Sequence, residues 1–225
     1  MRVGVLGGTF DPIHIGHLIA AEVVRCDLAL DTVLFVPAGQ PPHKSPAAVT
    51  AAVHRVRMVE LAIASNPWFQ LSRVDLERPG RSYTVETLRL LREQYGADTE
   101  IYFIIGMDSL SELNSWRDPL GIISLCRLAV VNRPPYPEVD LSALEAKLPG
   151  ISSRVEMVRM PGIYVASSDL QVRVARGLTI RYQVPEPVEH YIHENGLYLA
   201  SGDVGDGQMG RNADRDVEAP AEPPR

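Results

Sequence analysis

Short apolar runs alternate along the chain with longer segments in which apolar residues recur every three or four positions. Arg2–Leu6, Thr32–Val36, Phe69–Leu76, Glu100–Ile105 and Arg127–Val131 predict strands, and His17–Leu30, Thr50–Ser65 and Thr84–Tyr95 predict helices between them. In the first helix Ile19, Val23, Cys26 and Leu30 follow at spacings of four, three and four and form the expected buried stripe, with Glu22, Arg25 and Asp27 off it. Val33–Val36 and Ile101–Ile105 are apolar without alternation, as in strands covered on both faces. The alternation predicts a parallel sheet in a three-layer α/β/α, Rossmann-like doubly wound fold. In such sheets ligands lie beyond the carboxyl ends of the strands, here the loops after Leu6, Val36, Ile105 and Val131.

Composition narrows the picture. The 225 residues are 45% apolar and 22% charged, which suits one well-buried core. With 28 acids against 22 bases the formal charge is −6, which repels a nucleic-acid backbone. Cys26 and Cys126 belong to no CxxC or Cys/His cluster; both are expected as buried small hydrophobes in a reducing compartment. The apolar run before Asp11 is too short for a signal segment, and no run approaches the roughly 18 residues of a membrane span, so a cytoplasmic protein with no membrane partner is expected. A homo-oligomer is compatible with this composition. Residues 200–225 hold six acids, three arginines and no aromatic residue; they are expected as an acidic Gly/Pro-rich disordered tail on a single domain of residues 1–199.

Candidate chemistry concentrates in the loop after the first strand, Gly7-Gly8-Thr9-Phe10-Asp11-Pro12-Ile13-His14-Ile15-Gly16-His17. Gly7, Gly8 and Gly16 let backbone approach a polyphosphate closely. His14 and His17, three residues apart at a helix entrance, can present ring N–H groups on one face beside exposed helix amides. Asp11-Pro12 fixes a turn, and Asp11 could hold a histidine tautomer or a ligand group. An ordinary tight turn and a histidine metal site stay open at this stage. A dehydrogenase fingerprint fails, because Gly4, Gly7 and Gly8 do not make GxGxxG.

GGTFDPIHIGH resembles the GGxFDPxHxGH signature of the HxGH nucleotidylyltransferases. The rest of the body resembles one branch, the bacterial nicotinate mononucleotide adenylyltransferases, through PPHK at Pro41–Lys44, SYTVETL at Ser82–Leu88, FIIGMDSL at Phe103–Leu110, Ser115-Trp116 and TIRYQVPEPVEHYI at Thr179–Ile192. The resemblance spans residues 1 to about 199 and implies adenylyl transfer from ATP to nicotinate mononucleotide, giving nicotinate adenine dinucleotide and pyrophosphate in NAD biosynthesis. Both reactants are anions, so the chemistry calls for donors and positive charge more than for a protein nucleophile. The resemblance implies that His14 and His17 stabilise the α-phosphate. It implies ATP contacts from Gly7, Gly8, Thr9, Phe10, Lys44, Gly106, Asp108, Ser167 and Ser168, and acceptor contacts from Asp11, Tyr83, Thr84, Trp116 and Arg133. Mg²⁺ is expected on the triphosphate rather than on a carboxylate cluster.

Several of these residues have plainer readings. Lys44 could be a solvated loop lysine, Thr84 a helix N-cap, Asp108 the N-cap of a helix beginning near Ser109, and Trp116 a core residue. One departure stands out. Where the family reads ISSTxIR, this chain has Ala166 for the first serine, Ser168 for the threonine and Gln171 for the phosphate-binding arginine. Arg173, two residues on and about 200° around a helix, is not an easy substitute, which leaves Arg176 and Arg133 as the candidates for the missing charge. Two alternatives follow: a sibling transferase using nicotinamide mononucleotide or another phosphorylated acceptor, and a nucleotide sensor without turnover.

Overall fold

The computed structural model describes residues 1–41, 49–132 and 140–199. The expected ligand contacts Lys44 and Arg133, and the tail 200–225, lie outside the described residues.

Six strands form one parallel sheet: β1 (Arg2–Gly8), β2 (Thr32–Pro37), β3 (Phe69–Leu71), β4 (Glu100–Gly106), β5 (Arg127–Asn132) and β6 (Val155–Arg159). Their order is β3-β2-β1-β4-β5-β6. The sheet therefore winds outward in both directions from the β1–β4 pair, which places a crevice at the carboxyl ends of these two strands. The register makes it visible. β1 pairs with β4 from Arg2 to Val5 but with β2 as far as Gly8, so β1 and β4 part at Leu6.

Strand side chains alternate between two cores, as the two-residue period requires. Val33, Phe35, Tyr102 and Ile104 face one; Leu34, Val36, Ile101 and Phe103 face the other. The first core is closed by α1 (Ile15–Asp27), α2 (Ala52–Ile63), α7 (Ser167–Ala175) and α8 (Glu186–Glu194). The second is closed by α3 (Thr84–Tyr95), α4 (Met107–Glu112), α5 (Pro119–Leu125) and α6 (Leu141–Glu145). Leu88 and Leu91 of α3 are fully buried, and each side chain of this kind stabilises the fold by about 1.5–3 kcal/mol. The doubly wound three-layer expectation is thus met, and among the described residues no helix is long and apolar enough to cross a membrane.

Four local readings are corrected. The buried face of α1 is Ala20, Ala21 and Val24, small residues that bring the helix close to the sheet; Ile19 and Val23 are only half-buried. Cys26 is exposed, while Cys126 is buried as expected. Cys26 belongs to a polar surface cluster, in which Arg25 binds Glu22 at 2.6 Å and lies over the Trp68 ring at 4.3 Å. The α3 N-cap is Tyr83, with Thr84 the first helical residue, and α4 starts at Met107 with Gly106 as its N-cap, so neither Thr84 nor Asp108 is a cap. The third strand ends at Leu71, and in β6 Glu156, which pairs with Arg127 of β5, breaks the apolar pattern by which strands are recognised.

Candidate active site

Where β1 and β4 part, two recesses adjoin. The first, about 310 Å³, is lined by Gly7, His14, Gly16 and His17 on the β1 side, by Phe103 to Ser109 on the β4 side, and by Met160, Ile163 and Val165 beyond β6. The second, about 560 Å³, is lined by Gly7, Gly8 and Thr9, by Asp75, Ser82 to Thr84 and Thr87, and by Trp116 and Arg117. Gly7, Phe103 and Trp116 line both, so the recesses adjoin beside the glycine loop along a boundary made by that glycine and two aromatic rings.

The histidine pair is built by the entry into α1. The His14 backbone N–H donates to His17 Nδ1 at 3.2 Å, and the two rings stack with centroids 3.7 Å apart. A ring nitrogen that accepts is unprotonated, which leaves the proton of neutral His17 on Nε2 as a donor. Phe10 presents an edge to His17 at 5.1 Å. Gly16 packs closely on the histidine: a Cβ there would sit 3.1 Å from His14 Nδ1, so the ring would have to give by a few tenths of an ångström. Gly106 opens α4 into the same recess, and a Cβ on it would collide with the Asp108 carboxylate.

The second recess has a different chemistry. The N-terminus of α3 opens into it at Thr84, and the Arg117 guanidinium lies over the Tyr83 ring at 4.7 Å. A hydrogen bond from Arg81, assisted by Arg117, holds the Tyr83 phenol below its ordinary range against a smaller opposing effect of burial. Asp75 is buried and accepts from Thr87 Oγ1 at 2.7 Å and from Arg78 Nε at 2.8 Å, an ion pair that anchors the wall. Trp116 meets Phe103 edge-on, centroids 6.3 Å apart, and keeps its ring on the boundary of both recesses.

The structure therefore brings together most of the expected residues and separates a few. Gly7, His14, His17, Gly106 and Asp108 line the first recess, whereas Gly8 and Thr9, expected at ATP, line the second with Tyr83, Thr84 and Trp116. Phe10 is buried beneath the loop. Ser167 donates to the Pro12 carbonyl at 2.9 Å, and Ser168 is exposed on the first turn of α7. Asp11, expected at the acceptor, lines neither recess: its carboxylate accepts from the Thr50 backbone at 3.0 Å and from the Tyr198 hydroxyl at 2.6 Å. Gln171 donates to the Asp11 carbonyl at 2.6 Å and so braces the loop. Arg173 donates to the Thr179 carbonyl at 2.9 Å. Asp75, Thr87 and Arg117 escaped the sequence reading, although Arg117 could have been found as the cation next to Trp116.

Comparison with known proteins agrees with this geometry. Residues 5–166 match the family model described as cytidylyltransferase-like. A Thermomicrobium roseum protein named "Probable nicotinate-nucleotide adenylyltransferase" is 51% identical over 88% of this chain and 91% of its own length. A Symbiobacterium thermophilum protein of the same name is 47% identical over 92% of this chain and 99% of its own. The solved nicotinic acid mononucleotide adenylyltransferase of Plasmodium falciparum in complex with NaAD shares the fold, with a TM-score of 0.72 at 18% identity over 88% of this chain and 97% of that one. With a crevice at the sheet's switch point, a paired-histidine loop beside it and relatives matching over nearly the whole body, the chain belongs to the cytidylyltransferase-like family, in its nicotinate-nucleotide adenylyltransferase branch.

Proposed function

We propose that this chain transfers the adenylyl group of ATP to nicotinate mononucleotide, releasing pyrophosphate. The observation that carries the reading is the pair of recesses that share Gly7, Phe103 and Trp116, one holding the histidine pair and the other a cation and a helix N-terminus. ATP occupies the histidine recess and the acceptor the recess of Tyr83, Thr84 and Trp116, so their phosphates meet over Gly7. An oxygen of the acceptor phosphate attacks the α-phosphorus in line. A new P–O bond forms, the bond to the β-phosphate oxygen breaks, and its electron pair leaves with pyrophosphate. No side chain forms a covalent bond. His17 Nε2–H and His14 donate to the α-phosphate oxygens as charge builds there. Backbone amides at the start of α1 add positive potential.

The nicotinate carboxylate lies toward the α3 N-terminus and Arg117, and its pyridinium stacks on Trp116. Gly106 and Asp108 flank the nucleotide. Lys44 and Arg133, outside the described residues, would supply further charge to the phosphates. Magnesium enters as part of the MgATP substrate, held by phosphate oxygens and water; Asp108 is the carboxylate on the lining of that recess.

The test is pyrophosphate release with ATP and either nicotinate or nicotinamide mononucleotide. A preference for the acid of about tenfold or more is expected, as a charged hydrogen bond in a partly exposed site provides. Arg117→Ala should narrow that preference. Equal rates, or faster turnover of the amide, would contradict the acceptor assignment, and nucleotide binding without pyrophosphate release would leave a sensor.

A further inference from the structure

The loop that carries the histidines is held from behind by a buried polar set. Asp11 is 2% exposed and Arg55 is 1% exposed. Arg55 donates through Nη1 to the Thr9 carbonyl at 2.8 Å and through Nε to the Thr50 carbonyl at 2.9 Å. Asp11 receives the Thr50 backbone N–H on one carboxylate oxygen and the Tyr198 hydroxyl on the other. Burial lowers the affinity of Arg55 for its proton, and the negative charge of Asp11 opposes that effect, so the two charges compensate each other inside the protein.

Two features mark this set as more than packing. Tyr198 lies 187 positions from Asp11, at the far end of the described chain. It has φ +64, and Phe10, next to Asp11 on the loop, has φ +51. Bulky residues rarely occupy this left-handed region and persist there where the surroundings over-determine them. Burial and the neighbouring carboxylate push the Tyr198 hydroxyl far above the ordinary tyrosine range, so it remains a donor wherever the protein is assayed.

We propose that Tyr198, Asp11 and Arg55 are positioning residues for catalysis: they fix the backbone of residues 9–12 and thereby set where the rings of His14 and His17 meet the reacting phosphate. The inference rests on the phosphate role given above to the two histidines. None of the three lines either recess, so their effect passes through loop geometry.

Tyr198→Phe removes only the hydroxyl. It is expected to lower kcat about 10- to 100-fold, the scale of a small misplacement of a reacting group, with the KM for nicotinate mononucleotide changed by less than about twofold. Asp11→Asn is expected to slow turnover similarly, and the double variant to be no slower than the slower single one, since the Tyr198 hydroxyl acts through the Asp11 carboxylate. Unchanged kcat in Tyr198→Phe well below its melting temperature, or an effect confined to KM, would overturn the proposal, as would multiplicative losses in the double variant. His17→Ala measured alongside separates the two levels. Its collapse together with full turnover in Tyr198→Phe refutes the positioning role alone, whereas full turnover in His17→Ala removes the histidine assignment beneath it.

Discussion

His17 Nδ1 accepts the backbone N–H of His14 at 3.2 Å while the His17 ring lies on the His14 ring, so the bond selects the tautomer and the stack fixes the aim. The remaining ring nitrogen of His17 is left as a donor, the one proposed above to face the phosphate. His17→Ala removes that donor and is expected to reduce kcat about 10²–10³-fold. Thermal unfolding should stay cooperative and shift by a few degrees at most, because the variant loses the bond to the His14 N–H at the helix start but leaves both cores filled. Steady-state pyrophosphate release paired with a melting curve checks both halves.

Gly16→Ala separates activity from stability in a different way. Alanine is a better helix former than glycine by roughly 0.8–1 kcal/mol, which favours the first turn of α1. The added Cβ would nevertheless press on His14 at 3.1 Å and displace its ring. Turnover is expected to fall while the melting temperature holds. A variant as active as the parent would mean that the ring relocates without consequence.

Gln171 offers no charge where the family carries arginine, and its amide is engaged with the Asp11 carbonyl. Gln171→Arg should lower the KM for ATP about two- to fivefold, the worth of a partly exposed charge pair. An unchanged KM would mean that other groups already neutralise the triphosphate.

Burial pushes the Cys126 thiol up to about 12, against an ordinary value of 9.0. The native thiol keeps its proton where the unfolded chain loses one, so its contribution is complete below about pH 9 and is lost as pH climbs toward 12. Urea unfolding at pH 8 and pH 10 should show a steeper loss of stability in the parent than in Cys126→Ala. In the folded protein iodoacetamide should label the exposed Cys26 and leave Cys126 untouched.

The crevice and the glycine–histidine loop were readable because they depend on local signals: unbroken apolar strands, two early glycines and the three-residue histidine spacing. The burial of α1 was not. Periodicity favoured Ile19, Val23 and Cys26, but close approach to the sheet selected Ala20 and Ala21, which a count of large apolar residues passes over. Asp11 shows a second limit. Its place in the motif suggested a ligand contact, whereas its bonds come from Thr50 and Tyr198, which only the fold brings near. Arg55 was hidden in the same way, as a charged residue within an otherwise ordinary amphipathic helix.

The ridge of Gly7, Phe103 and Trp116 between the hollows also bears on inhibitor design. A tethered compound long enough to straddle it would engage both hollows as a single molecule, and its second contact would form at a high effective concentration. Such a compound should outcompete two separate fragments of the same chemistry, and the preferred tether length would report the distance between them.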